Sequence, residues 1–179
     1  MKAMRRMTVG AAALAALTMA GCATRQPVPV EPARPSRPAP VAAALSPERY
    51  MAVAGSSALL SLRSAELARQ RTRNPALRAF AANSIVEQGG IGAQLSFAGR
   101  RINLLPAASL LPAHQAMYDA LAAAGDFDAV YLAQQRTVHE AAYSVHRSFA
   151  RSGISATLRP VARMAEPVLQ RALEALRRL

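Results

Sequence analysis

Apolar side chains recur every three or four positions over residues 46–179, which is the period of helices with one buried face. Ser46-Pro47 is a helix start signal, with serine as the N-cap and proline in the first turn, and this first predicted helix ends near Arg71. Asn74-Pro75 repeats the signal and opens a second predicted helix that ends near Gly99. No segment alternates apolar and polar residues as a half-buried strand does.

The rest of the chain predicts one short and two long helices. Pro112 opens the short third helix, and Asp126 caps a fourth helix that Gly153 ends. A fifth helix is expected from about Ala156 to the C-terminus, with a kink or break just before Pro167. Because the connections are mostly tight, the pattern predicts an all-α fold, an up-and-down four-helix bundle with one extra short helix.

Three glycines make a weak point inside the second predicted helix. Gly89, Gly90 and Gly92 are each about 1 kcal/mol less favourable than alanine in a helix interior. Two compatible explanations are open. Glycine lets a neighbouring helix approach closely, or the segment has lost a ligand site and now tolerates a softer helix.

The first residues predict export. Lys2, Arg5 and Arg6 precede a short apolar run, which is the pattern of a secretory signal and is too short for a stable membrane span. The run ends in Leu17-Thr18-Met19-Ala20-Gly21-Cys22, which resembles a bacterial lipobox. The resemblance implies that residues 1–21 are a signal peptide and that Cys22 carries acyl chains such as palmitate. The alternative is an ordinary signal peptide followed by an unmodified cysteine.

A proline-rich stretch separates this signal from the helices. Residues 22–45 carry proline at nearly every second or third position, which forbids helix and favours extended polyproline II. At about 3.1 Å per residue the segment could span on the order of 60 Å. It is predicted to be a tether for a folded domain at 46–179, while proline recognition by a partner is the weaker alternative. Ala23, rather than aspartate, follows the cysteine, and by resemblance to lipoprotein sorting rules this favours the outer membrane.

The formal charge of +12 comes almost entirely from arginine. It fits either a solvated basic surface or a partner that carries phosphate or carboxylate, such as a lipid head group or a cell-wall polymer. Arg100-Arg101 and Arg177-Arg178 are the local pairs that such a partner would contact. An exported protein does not normally meet the chromosome, so nucleic acid is not an expected partner.

Several short motifs, in their order and spacing, resemble the exported bacterial domain of unknown function 4142, a family with a ferritin-like helical bundle. The motifs are Ala65-Glu66-Leu67-Ala68, Leu77-Arg78-Ala79-Phe80-Ala81, Asp126-Phe127-Asp128-Ala129-Val130-Tyr131-Leu132, Gln135, His139, Gly153, Pro167-Val168-Leu169 and Leu173. The resemblance covers the whole predicted domain. In the family, the second helix usually continues with acidic residues and then histidine, where this chain has Val86, Glu87 and Gln88. The last helix usually carries histidine where this chain has Ala172. Only His139 remains of the recurrent histidines, so the resemblance implies a degenerate site and no cofactor.

The sequence contains few of the residue patterns that a metal site requires. A ferritin-like di-iron centre requires Glu-x-x-His pairs, and the chain contains none. One ion held by Glu66, Glu87 and His139 stays open as an alternative to a solvated Glu66 and a His139 hydrogen-bonded at the flank of the core. His146 lies seven residues after His139, on the same helix face, and the two are expected to form a polar flank. His114 is expected to be exposed.

No arrangement of residues indicates nucleophilic catalysis or phosphate binding. The sequence therefore predicts a non-enzymatic envelope lipoprotein that is anchored to the outer membrane and presents a helical bundle to the periplasm, in a structural or interaction role. The first alternative is a metal-binding or oxidative-stress protein with a reduced ferritin-like site. The second is an arginine-rich adaptor for anionic envelope polymers or an envelope protein.

Overall fold

The computed structural model describes residues 45–179, which contain five α-helices and no strand. The helices are α1 (Pro47–Arg71), α2 (Pro75–Arg100), α3 (Pro112–Ala123), α4 (Phe127–Ser152) and α5 (Arg159–Arg177). The predicted signal peptide, Cys22 and nearly all of the predicted tether lie outside the described residues. Within the described part of the chain, no helix is both long enough and apolar enough to cross a membrane.

The predicted start signals are N-caps in the structure. The Ser46 hydroxyl accepts a hydrogen bond from the Arg49 amide at 3.2 Å. The Asn74 side chain accepts from the Ala76 amide at 2.9 Å, and the Asp126 carboxylate accepts from the Ala129 amide at 3.2 Å. These bonds satisfy amides that a helix start otherwise leaves unpaired, which is why the helices begin here.

The four long helices form a closed ring of antiparallel neighbours. Helix α1 packs on α2 and α4, and α5 packs on α4 and α2, while the short α3 lies against α1 and α4. Arg71, at the end of α1, donates hydrogen bonds to the carbonyls of Ala122 and Ala124 at 2.6 and 2.8 Å and so caps the C-terminus of α3. The predicted up-and-down four-helix bundle with one extra short helix is confirmed.

Three apolar clusters fill the described bundle, one toward each end and a smaller one of Leu60, Leu110 and Val138 where α3 packs on α1 and α4. We call the end where α1 and α5 begin and α2 and α4 end the proximal end, and the opposite end the distal end. The proximal cluster includes Tyr50, Met51, Leu95, Phe149 and Leu158. The distal cluster includes Leu77, Phe80, Phe127, Tyr131 and Leu176. Helix ends that are far apart in sequence are thereby fixed to the same end of the molecule.

The close-approach explanation for the weak point in α2 is wrong. A Cβ atom built at Gly89, Gly90 or Gly92 would meet no heavy atom of the described chain within 4 Å. Within α2, close packing requires glycine at Gly99, where a Cβ would collide with the backbone oxygen of Leu104. The chain turns back there, and the Leu104 amide donates to the Gly99 carbonyl at 2.9 Å.

Two predictions about α5 also need correction. The helix begins at Arg159 rather than near Ala156, with Pro160 in its first turn. It continues through Pro167 as one helix, so the break that was one of the two expected outcomes does not occur. Pro167 and Arg163, the residue one turn earlier, are both exposed, so the carbonyl that loses its helical partner can be hydrated.

Candidate functional site

A band of buried polar side chains crosses the bundle between the proximal and distal clusters. It is formed by Ser64 of α1, Ser84 and Gln88 of α2, and Gln135 and His139 of α4, all at most 3% exposed. We call this band the polar layer. It is the part of the described structure where hydrogen-bonding groups from three helices are concentrated in the core.

His139 is the centre of the polar layer. Its Nδ1–H donates to the Gln135 carbonyl one turn earlier at 2.8 Å, which leaves Nε2 as the acceptor. The Gln88 amide nitrogen donates to this Nε2 at 3.3 Å, and the Phe80 ring lies 5.9 Å from the imidazole centroid. Burial lowers the pKa of His139 to about 4, against a smaller opposite effect of the Gln135 carbonyl, so the imidazole is neutral at physiological pH.

The polar layer holds more hydrogen-bonding groups than it pairs. Among the described residues, the hydroxyls of Ser64, Ser84 and Tyr131 and both amide atoms of Gln135 have no hydrogen-bond partner. Burial raises the pKa of Tyr131, and the nearby Ser84 hydroxyl offsets this only in part. Since an unpaired buried polar group costs on the order of 1–3 kcal/mol, the layer combines unused hydrogen-bonding capacity with a cost to stability.

His146 belongs to the proximal cluster rather than to the polar layer. Its Nδ1 shares a 3.0 Å hydrogen bond with the Tyr50 hydroxyl, and the Tyr50 ring stacks on Phe149 with centroids 3.9 Å apart. Burial lowers the pKa of His146 to about 4. The predicted polar flank is therefore wrong for both histidines, because this face of α4 points into the core and each imidazole is only 1% exposed.

His114 is partly buried instead of exposed. The Ser56 hydroxyl hydrogen-bonds to His114 Nδ1 at 2.7 Å and accepts from the Leu111 amide at 2.8 Å. Burial lowers the pKa of His114, against a smaller opposite effect of the Ser56 contact. This small hydrogen-bond network connects the start of α3 to α1, which is a structural role.

The structure does not bring the three metal-ligand candidates together. Glu66 is exposed on α1, whereas His139 is fully buried. Glu87 is half-buried on α2, where burial raises its pKa and the charge of Arg171 partly offsets the rise. The described residues contain no group of three histidine, cysteine, aspartate or glutamate side chains able to hold one ion. Ala172, where the family usually has histidine, lies buried in the distal cluster.

A surface groove leads to the polar layer. Its volume is about 440 Å³, and Gln88, whose amide contacts His139, is one of its lining residues. Gly89 and Gly92 line it as well, so these two glycines face the groove instead of a neighbouring helix. The remaining wall is apolar except for Ser96 and is made by Gly55, Ala58, Leu59, Leu62, Ser96, Pro106, Ala107 and Ala108.

Sequence reasoning singled out His139 but missed its partners. Gln88 and Gln135 are fully buried, and neither was considered as a core polar residue. A usable signal was present, because Gln88 follows the core residue Ser84 by four positions and so continues the buried face of α2. Helical spacing alone could have placed this amide inside the bundle.

The four arginines of the two predicted anionic-partner pairs do not form one surface. Arg100 and Arg101 lie at the proximal end, where α2 finishes, and Arg177 and Arg178 lie at the distal end, where α5 finishes. All four are exposed. A single partner patch containing both pairs is therefore excluded by the length of the bundle.

The fold has a solved counterpart. The chain is similar to the structure titled "CopM in the Cu(II)-bound form", with a TM-score of 0.63 and 17% sequence identity over 75% of this chain and 95% of that chain. At this identity the likeness shows the fold alone. None of the curated proteins matches the chain.

The family match covers the bundle and a short stretch before it. The family described as Domain of unknown function (DUF4142) matches residues 32–179, which include all five helices. The motifs in α1, α2, α4 and α5 that resemble this family lie within that range. This chain belongs to the family described as Domain of unknown function (DUF4142).

Proposed function

We propose that this protein is a non-enzymatic lipoprotein of the bacterial envelope, anchored to the outer membrane through Cys22, which presents its helical bundle to the periplasm. The anchor is supported by the basic start, the short apolar run and the small residues Ala20 and Gly21 directly before the chain's one cysteine. The proline-rich stretch between Cys22 and Ser46 would allow the bundle to lie at a distance from the membrane surface. Its role there is structural or interaction-mediating.

One observation carries the non-enzymatic part of this proposal. His139 is enclosed in the core with both ring nitrogens committed, one to the Gln135 carbonyl and the other to the Gln88 amide. A general base needs a nitrogen lone pair within reach of a substrate proton, and a metal ligand needs the same lone pair free. In this arrangement the lone pair of His139 is already used by a neighbouring side chain.

A second candidate function is metal binding. It is favoured by the unpaired polar atoms around His139 and by the groove that reaches Gln88. The similar structure is named as a Cu(II)-bound form, so copper is the first ion to try. Binding at His139 would require Gln88 to move aside and the ligands to include neutral oxygen or nitrogen atoms from the polar layer. Metal content therefore separates the two candidates.

Lipid anchoring is tested with Cys22→Ser, which removes the sulfur nucleophile needed for acylation and changes little else. We expect the unaltered protein to incorporate labelled palmitate and the variant to incorporate none. Ala23→Ser, one residue further, is the matched control and should behave as the unaltered protein. Palmitate labelling of Cys22→Ser, or its absence from the unaltered protein, would contradict the anchor.

A further inference from the structure

Large apolar side chains are exposed at the proximal end of the bundle. Phe97 is 57% exposed in the last turns of α2, Leu105 is 59% exposed shortly after it, and Ile154 is 78% exposed just after α4. Together they are half of the large hydrophobic residues exposed in the described chain, and the others are Val86, Met164 and Leu179. Exposed apolar groups gathered at one end of a folded domain indicate an interaction surface.

Positive charge is gathered at the same end. The residues there include six arginines and one carboxylate: Arg49, Arg100, Arg101, Arg151, Arg159, Arg163 and Glu48. Counted to the same depth, about one turn from each helix end, the distal end is more balanced, with six arginines and four carboxylates: Arg69, Arg71, Arg73, Arg78, Arg177, Arg178, Asp119, Asp126, Asp128 and Glu174. The asymmetry is therefore a property of the proximal end and not of the basic composition as a whole.

Phe97, Arg100 and Arg101 share one surface at this end. The Arg100 guanidinium lies 6.0 Å from the centroid of the Phe97 ring. Phe97 and Arg101 also line a shallow pocket with Ala156 and Pro160, which belong to the segment between α4 and α5 and to the start of α5. An aromatic side chain flanked by arginines suits the boundary between lipid head groups and acyl chains, where rings insert and guanidinium groups contact phosphates.

We propose that the proximal end docks on an anionic phospholipid surface, with Phe97, Leu105 and Ile154 entering the head-group region and the surrounding arginines contacting lipid phosphates. The described chain begins at Leu45, just before α1 and therefore at this same end. The contact deepens the proposed envelope role. It does not depend on acylation, because the surface is a property of the folded bundle.

The test uses residues 23–179, which keep the bundle and the preceding segment but lack Cys22. Sedimentation with vesicles of equimolar phosphatidylglycerol and phosphatidylcholine is compared with sedimentation with pure phosphatidylcholine vesicles. We expect binding to the anionic vesicles only, weakening as salt is raised. Arg100→Gln with Arg101→Gln should weaken it roughly tenfold or more. Arg177→Gln with Arg178→Gln, at the distal end, should change it less than about twofold.

The apolar side chains are tested by Phe97→Ser with Ile154→Ser, and Val86→Ser is the control because Val86 is exposed in the middle of α2. The double variant should lose most vesicle binding, while the control should keep it, and circular dichroism should show unchanged helix content in both. Binding that needs Arg100 and Arg101 but survives the double serine variant would indicate an anionic polymer as the partner and overturn the proposal. Absent binding, or equal binding to both kinds of vesicle, would overturn it as well.

If the proximal surface fails this test while the unaltered protein, and not Cys22→Ser, incorporates labelled palmitate, the lipoprotein proposal stands and the docking proposal falls. If the unaltered protein incorporates no palmitate while the vesicle results hold, the docking proposal stands and the lipoprotein proposal falls. The two experiments therefore fail independently.

Discussion

At the scale of single residues, the two buried histidines show how one side-chain type takes two structural positions. His139 completes the polar layer through Gln88 and the Gln135 carbonyl, and His146 bonds the Tyr50 hydroxyl inside an aromatic group. Neither imidazole has a carboxylate partner among the hydrogen bonds and ion pairs of the described residues. Both are therefore held neutral, and their protonation opposes folding.

Stability should fall as the pH falls from about 6.5 to about 4. The pKa of each histidine is about 4 in the fold and near 6.5 when the chain is unfolded, so the unfolded chain binds more protons in this window. The contribution of each histidine is complete above pH 6.5 and is lost progressively toward pH 4, at up to about 1.4 kcal/mol per pH unit. Urea unfolding at several pH values measures the slope.

His146→Phe isolates one of these contributions. It keeps an aromatic ring beside Tyr50 and Phe149 but removes the titrating group. The part of the pH dependence of the unfolding free energy that comes from His139 and His146 should therefore fall by about half. The absolute stability also falls, because the Tyr50 hydroxyl loses its partner, and the slope is the informative quantity. His114→Gln should reduce the slope less, because His114 is only partly buried. An unchanged slope in His146→Phe would show that His146 is accessible to protons in the fold.

At the scale of helices, local signals determined most of what the structure contains. Ser46, Asn74 and Asp126 were predictable as caps because their side chains bond to amides two or three residues away. The continuation of α5 through Pro167 could not be predicted, because it depends on which side of the helix faces water. The partners of His139 were not identified either, because contacts between α2 and α4 span about fifty residues of sequence.

The glycines of α2 give a direct test at this scale. Gly90→Ala should stabilise the protein by up to about 1 kcal/mol, because alanine is the better helix former and its methyl group meets open space. Gly99→Ala is the matched control on the same helix and should destabilise, because its methyl group would collide with the Leu104 backbone. Urea denaturation of both variants gives the comparison. A destabilised Gly90→Ala would mean that α2 needs flexibility at this point.

At the scale of the whole molecule, the bundle has a polar middle and two unlike ends. The polar layer separates the proximal and distal clusters, and the exposed apolar and basic groups lie at the end where the described chain begins. The all-α bundle could be predicted from helical spacing and connection length. The difference between the two ends in charge and in exposed apolar side chains could not be predicted, because it depends on which helix termini come together. The account's central claim is that the middle of the bundle is a closed polar core and not a metal centre.

Metal content tests that claim most directly. Residues 23–179 would be purified without a histidine tag, incubated with copper, zinc, manganese or iron, freed of unbound ions, and assayed by mass spectrometry beside His139→Ala and the control His114→Ala. The account predicts less than stoichiometric metal in the unaltered protein and no difference between the two variants. Near-stoichiometric metal that is lost in His139→Ala and retained in His114→Ala would contradict the account and make the polar layer a metal site.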